Sequence, residues 1–391
     1  MRKSIFGVAC VAALLATGAA RAEPTVKIGL IISYSGQFAD AGLQMDDGIK
    51  LFVQKHGDTV AGKKIVFIRK DTGGIAPAVA KRLAQELVVR DKVDVLAGFV
   101  LTPNAMAAAD VSAQAKKFMV VMNAATSVII TKSPYMTRSS VTTPMLNETF
   151  GTWAAKHGIK TAYTMVSDYG PGIDAEQAFI KGFKDAGGKI VGSVRMPVAN
   201  ADFSAFVQRA KDAKPDAIYI FVPGGSQPAA IGKAIVEQNI DRKKTRILGQ
   251  DVITSEGALK SMGDTALGVI TVSNYDYNHQ SPKNKAFVAA YRKAYHRTPD
   301  IFSIGGYDGM RIIYNALKKT GGKTDGKSLI DATKGMSFES PRGPVSIDPK
   351  TRDIIENVYI RRVEKVGTKL KNVEFDTINH VKDPFAATAA K

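Results

Sequence analysis

The chain has 391 residues, 45% of them hydrophobic, and a formal charge of +18 from 54 basic and 36 acidic residues. A length of this order supports two domains, each with a core of its own. The one cysteine, Cys10, stands near the start, which excludes a disulfide framework and, for the mature protein, a thiolate nucleophile or thiolate-bound metal.

The first residues set the expected compartment. Arg2 and Lys3 give a positive start, residues 5–15 are almost wholly apolar, and Ala20-Arg21-Ala22 forms a small-residue cleavage site. This order predicts a secretory signal peptide over 1–22, cut after Ala22, and a mature periplasmic chain that begins at Glu23. The apolar run is too short to span a bilayer, which takes about 20 residues, and no later stretch comes close, so the mature chain is expected to be soluble. The apolar stretch ahead of Cys10 is also too short for a lipoprotein leader. Three basic residues and no acidic one precede Glu23, which leaves about +15 on the rest. These charges are scattered, as at Lys116-Lys117, Lys318-Lys319 and Arg361-Arg362, and the densest group, Arg242-Lys243-Lys244, has no aromatic platform beside it. They read as solvated surface, with no nucleic-acid partner.

From Val26 onward, short apolar runs alternate with amphipathic stretches, the pattern of β-α-β units and parallel sheets. Residues 26–32 predict a strand buried on both faces, 43–55 a helix, 64–69 a strand, 76–89 a helix and 93–99 a strand. Pro103 suits the first turn of a helix running to Ala115, with Thr102 as its N-cap, and 118–122 is the next strand. The pattern then begins again: strand 161–166, helix 174–186, strand 190–196, helix 203–213, strand 217–222, helix 228–238 and strand 246–248. Two such runs predict an α/β protein of two similar Rossmann-like lobes with parallel sheets. Residues 287–319 read as helical, and the tail as strands at 345–347, 355–363 and 373–377.

Four segments carry a family resemblance: VKIGLIISYSGQFADAG at 26–42, VLAGFVLT at 95–102, FMVVMNAAT at 118–126 and FSIGGY at 302–307. In order and spacing the chain resembles the branched-chain amino-acid (Leu/Ile/Val) binding proteins of ABC transporters, the type I periplasmic binding proteins, over its whole mature length. The resemblance implies that the chain crosses between lobes three times, near Pro144, Asn274 and Pro341. The N-lobe would then comprise 23–143 and 275–340, and the C-lobe 144–274 and 341–391. It also implies a monomer that traps a small ligand by hinge closure and delivers it to permease subunits in the inner membrane, without a cofactor or catalysis.

Ligand-binding positions follow from the same resemblance. They are Phe38, Leu101, Thr102, Ala124, Thr126, Tyr169, Asp251 and Phe302. Thr102 stands where helix N–H groups could hold a carboxylate, although a threonine there could equally cap its own helix. Ala124 and Thr126 stand where the family offers a carbonyl and a hydroxyl to an ammonium group, after a buried strand whose carboxyl end is the ligand side of an open α/β sheet. Tyr169 matches a tyrosine that closes from the other lobe. Asp251 matches the acid that neutralises the ammonium, with an N-cap toward Leu259 as the alternative. Phe302 matches an aromatic of the side-chain pocket, or is a core phenylalanine. Departures are Ala41 and Pro223-Gly224-Gly225 where the family has aromatics, and added bulk at Phe38. The loss of two walls enlarges the pocket, so the ligand expectation is a branched-chain amino acid first and an aromatic acid or amide second.

Other function classes find less support. Gly170-Pro171-Gly172-Ile173-Asp174-Ala175 imitates a dinucleotide fingerprint, but no acidic residue closes the next strand to take a ribose, and tight-turn glycines explain it better. None of His56, His157, His279, His296 and His380 has metal-ligand spacing or an elbow serine, and His279 and His296 are expected among exposed charges. A ligand-sensing module for a receptor is the remaining alternative.

Overall fold

Strand β1 (Thr25–Ile32) shows why a continuous apolar run is needed here. Val26, Ile28, Leu30 and Ile32 pack into one hydrophobic cluster and Ile31 into another, so both faces of the strand are covered. The computed structural model describes residues 23–198 and 202–385; the expected signal peptide and its cleavage site lie outside the described residues. After β1 come α1 (Ala39–His56), β2 (Thr59–Val60), β3 (Lys63–Asp71), α2 (Pro77–Val89), β4 (Val95–Gly98), α3 (Thr102–Ala115), β5 (Phe118–Val121) and β6 (Met136–Arg138). They form a six-stranded sheet in the order β2-β3-β1-β4-β5-β6, parallel except for the β2–β3 hairpin.

The second run begins with α4 (Thr143–Lys156), β7 (Thr161–Ser167), α5 (Gly170–Asp185), β8 (Lys189–Met196), α6 (Ser204–Asp212) and β9 (Ala217–Phe221). It continues through α7 (Gln227–Glu237), β10 (Arg246–Gln250), α8 (Glu256–Met262) and β11 (Ile270–Ser273). The chain then returns to the first lobe as α9 (Pro282–Tyr295), α10 (Ile301–Lys319) and α11 (Gly326–Thr333). It ends as β12 (Ser337–Ser340), β13 (Gly343–Ile347), β14 (Ile354–Val366) and β15 (Lys369–Val381). The second sheet runs β12-β13-β14-β11-β10-β9-β7-β8, with β15 on β14, and β14 joins β11 antiparallel. The sheets are therefore parallel in the strand–helix units and antiparallel in the tail.

Two features differ from the sequence expectation. Residues 287–319 are not one helical stretch: α9 ends at Tyr295, His296 takes a left-handed φ of 54°, and Pro299 precedes α10, whose N-cap is Asp300 in a capping box. Strand β12 pairs with β13 in the second sheet, although residues up to 340 were expected to stay with the N-lobe.

Helix pairs bury each lobe through close backbone approach. A Cβ on Gly48 of α1 would lie 1.9 Å from the Ser303 carbonyl oxygen of α10, and one on Gly182 of α5 would lie 2.0 Å from that of Glu148 in α4. The lobes also share a topological device. β3 and β4 flank β1 on opposite sides, as β8 and β9 flank β7, which opens a crevice at the carboxyl ends of both sheets.

Candidate functional site

The two crevices face each other across a cavity of about 750 Å³, open in part to solvent. The loops after β1, β4 and β5 bring Phe38, Leu101, Thr102 and Ala124 from the first lobe, and α10 adds Phe302. The loops after β7, β9, β10 and β11 bring Tyr169, Pro223, Asp251 and Asn274 from the second, together with Phe221 at the end of β9. The lobes touch at the rim, where a Cβ on Gly225 would lie 3.5 Å from the Gln37 carbonyl oxygen.

Seven of the eight expected positions line this cavity: Phe38, Leu101, Thr102, Ala124, Tyr169, Asp251 and Phe302. Thr126 does not line it. Its Oγ1 donates to Thr102 Oγ1 at 3.2 Å, and its carbonyl accepts from Arg138 Nη1 at 3.2 Å. Ala124 does line it, and its carbonyl accepts from Ser140 Oγ at 3.0 Å.

The local geometry at Thr102 corrects one expectation. Leu101 is the N-cap of α3, with extended φ and ψ and no side-chain capping bond, so Thr102 is the first helical residue and Pro103 the second. Phe99, just before, carries φ of +70°, a left-handed conformation rare for a bulky residue, and it turns β4 sharply into α3. The Thr102 hydroxyl and the Thr102 N–H, which has no partner within the helix, thus sit at the cavity wall, whereas Pro103 has no N–H to offer.

Asp251 opens a short 3₁₀ turn after β10 and does not cap α8; Ser255 does, accepting from Ala258 N at 3.4 Å. Asp251 is 2% exposed, and its Oδ2 accepts from Ser273 Oγ at 3.0 Å. Its Oδ1 is buried and has no hydrogen-bond partner among the described residues. Burial pushes the carboxyl above its usual range, and Arg361 only partly opposes that.

Sequence reasoning missed the polar group at the hinge. Arg342, 1% exposed, lines the cavity and ties the passages together. Its Nε donates to Asp308 Oδ2 at 2.9 Å, its Nη2 to the Ser139 carbonyl at 2.6 Å, and its Nη1 lies 2.7 Å from Glu356 Oε2. Burial pushes Glu356 up to about 7 against the pull of Arg342. Asn274 donates to Glu356 at 3.3 Å and leaves its own Oδ1 unpartnered among the described residues. Phe221 was missed as well; it supplies an aromatic wall two residues before Pro223, where the expected one is lacking. The one available signal was position, since Phe221, Gln250 and Asn274 all stand at carboxyl ends of strands.

His279 was expected among exposed charges, but it is half-buried with Nδ1 3.0 Å from Glu374 Oε2. Among the described residues no group of three or more His, Cys, Asp or Glu is placed to hold a metal, and no helix is long and apolar enough to cross a membrane.

Comparison with known proteins adds three findings. A family model described as periplasmic binding protein matches residues 25–368. Leu/Ile/Val-binding protein homolog 6 of Brucella melitensis is 42% identical over 374 residues, which cover 95% of each chain. Two solved solute binding proteins of ABC transporters share the fold over nearly the whole chain. The one from Rhodopseudomonas palustris BisB5, in complex with 3,4-dihydroxybenzoic acid, is 51% identical with a TM-score of 0.88 and covers 92% of this chain and 99% of its own. The one from strain HaA2, in complex with p-hydroxybenzoic acid, is 42% identical with a TM-score of 0.90 and covers 93% and 100%.

Proposed function

The chain belongs to the periplasmic binding protein family, a family of solute-binding transport proteins, and from that premise we propose that its ligand is a hydroxylated aromatic carboxylate delivered to the permease subunits of an ABC importer. The observation that carries this reading is the set of four aromatic side chains, Phe38, Tyr169, Phe221 and Phe302, around one cavity. A benzoate ring fits between such faces, where aromatic pairs add about 0.5–1.5 kcal/mol beyond area burial. The ligand carboxylate lies at the positive start of α3, held by the Thr102 N–H and hydroxyl. A ring hydroxyl donates to the free Oδ1 of Asp251, an acceptor that would otherwise stay buried without a donor. The proteins solved with 3,4-dihydroxybenzoic and p-hydroxybenzoic acid support the same ligand class.

An aliphatic amino acid is the second reading, favoured by the name of the Brucella relatives. It is the weaker one on chemistry. Of the two groups expected to hold an ammonium in the first lobe, the Ala124 carbonyl already accepts from Ser140 and Thr126 lies behind Thr102, so the unpartnered carboxylate and amide oxygens among the main cavity's described lining residues, Asp251 Oδ1 and Asn274 Oδ1, both belong to the opposite side. Closure then moves 23–143 and 275–336 against 144–274 and the tail from β12 onward, because β12 is bonded into the second sheet.

Thermal-shift titration of the purified mature protein against 4-hydroxybenzoate, 3,4-dihydroxybenzoate, leucine and valine tests the reading. A ligand at a hundred times its Kd stabilises by about 2.7 kcal/mol, and the hydroxybenzoates are expected to do so. Stabilisation by leucine or valine with none by the aromatic acids overturns it.

A further inference from the structure

Beside the main cavity lies a second, narrow one of about 300 Å³ in all, open in part to solvent and lined in part by Glu256, Tyr277, Asp300, Arg361 and Asn372. Asp251 and Ile301 border both, so the smaller chamber adjoins the ligand site at the carboxylate of Asp251. Like the main cavity it is built from both lobes, with Glu256 opening α8, Arg361 on β14 and Asn372 on β15 facing the segment that leads into α10.

The chamber's polar groups are unbalanced. Three carboxyls, those of Asp251, Glu256 and Asp300, face one guanidinium, and no ion pair joins any of the three to a cation among the described residues. Arg361 is partly committed, its Nη1 donating to the Tyr275 carbonyl at 3.1 Å and its Nη2 to Thr271 Oγ1 at 3.3 Å, while its Nε is the one unpartnered donor that the chamber's described lining residues offer. Acceptors also stand without donors: Glu256 Oε1, Asp251 Oδ1 and, independently of the acids, the side-chain oxygen of Asn372, a residue 3% exposed. The Asn372 amide nitrogen is committed to the Thr254 carbonyl at 2.7 Å, which fixes its oxygen as the free end. Burial raises all three carboxyls, Asp300 to about 8, so negative charge is costly there without a cation.

We propose that this chamber receives a protonated amine carried on an arm of the ligand's ring, so that the protein captures aromatic acids with an amino-bearing substituent as well as simple hydroxybenzoates. The proposal rests on the aromatic-acid reading of the main cavity. An amine brings three donors and one positive charge to a place with surplus acceptors and surplus carboxyls, whereas a second carboxylate would meet like charge.

Calorimetric titration of the mature protein with 4-(aminomethyl)benzoate, 4-methylbenzoate, terephthalate and 4-hydroxybenzoate tests it. The aminomethyl compound is expected to bind about tenfold tighter than the methyl compound, and terephthalate weaker than either. Glu256→Gln should weaken the aminomethyl compound about tenfold and leave 4-hydroxybenzoate within about twofold. Equal binding of the aminomethyl and methyl compounds, with 4-hydroxybenzoate still bound, overturns the chamber alone. An equal loss of both ligands in Glu256→Gln does the same. Failure of every benzoate, 4-hydroxybenzoate included, overturns the underlying reading together with the chamber. If Glu256→Gln does not fold, the four ligands on the natural sequence still decide.

Discussion

The first lobe meets the cavity with the start of α3 at Thr102, hydroxyls and apolar side chains, Leu101, Ala124 and Phe302 among them, whereas the second meets it with the carboxylate of Asp251 between aromatic walls at Tyr169 and Phe221. Both walls come from the same construction, loops at the carboxyl ends of a doubly wound sheet. The difference lies in what those loops carry. One wall suits an anion and the other a donor, so a ligand with a carboxylate at one end and a hydroxyl at the other has a single orientation that satisfies both. Arg342 does not blur this polarity, because Asp308 and Glu356 already pair with its charge.

The comparison can be broken most sharply at Asp251. Asp251→Ala should lower the affinity for 4-hydroxybenzoate about 10- to 100-fold, the worth of a hydrogen bond to a charged group, while benzoate changes little. Equal losses for the two ligands, measured by calorimetry, would remove the acceptor from the second wall. Phe221→Leu comes next. It should weaken every aromatic acid by about three- to tenfold, with the preference for the hydroxylated ring unchanged. A smaller effect is expected at the first wall, where Thr102→Val removes one hydroxyl and leaves the backbone N–H and the positive start of α3. Acids should lose about threefold, and a loss larger than that of Asp251→Ala would reverse the assignment of the walls.

The remaining expectation concerns stability and pH. Asp300, Glu356 and Asp353 are pushed up by burial to about 8, 7 and 6. A carboxyl whose folded pKa stands above its unfolded value, about 4, binds more protons when folded, so stability falls as pH rises between the two values. The melting temperature should therefore drop between about pH 5 and about pH 8. Asp300→Asn, which keeps a capping side chain at α10, should flatten that slope; an unchanged slope would show that Asp300 does not titrate there.

Much of the fold was legible because local pattern and burial agree. The strand–helix alternation of both lobes depends on short-range periodicity, and strands such as β1 and β9 are apolar on both faces because helices cover both. Legibility fell where a single backbone angle decides. The break at His296 depends on a left-handed residue that no glycine announces, and at the start of α3 the glycine that does stand in the turn, Gly98, is followed by a left-handed Phe99 that its residue type gives no sign of. The hinge was least legible of all. Ser139, Asn274, Arg342 and Glu356 are brought together from four separate segments, and no spacing in the chain marks them as neighbours. Asp251 and Thr102 could be found through the resemblance, but the engagement of Ala124 by Ser140 and of Thr126 by Thr102 could not, since hydrogen bonds already made are visible only in three dimensions.

The polarity of the two walls is tested most directly by a crystal structure of the mature protein with 3,4-dihydroxybenzoate bound. The expected result places the carboxylate at the start of α3 against Thr102, the ring between Phe302 and Phe221, and a hydroxyl within hydrogen-bond distance of Asp251 Oδ1. A carboxylate found against Arg342 at the hinge, with the hydroxyls turned toward Thr102, would contradict it.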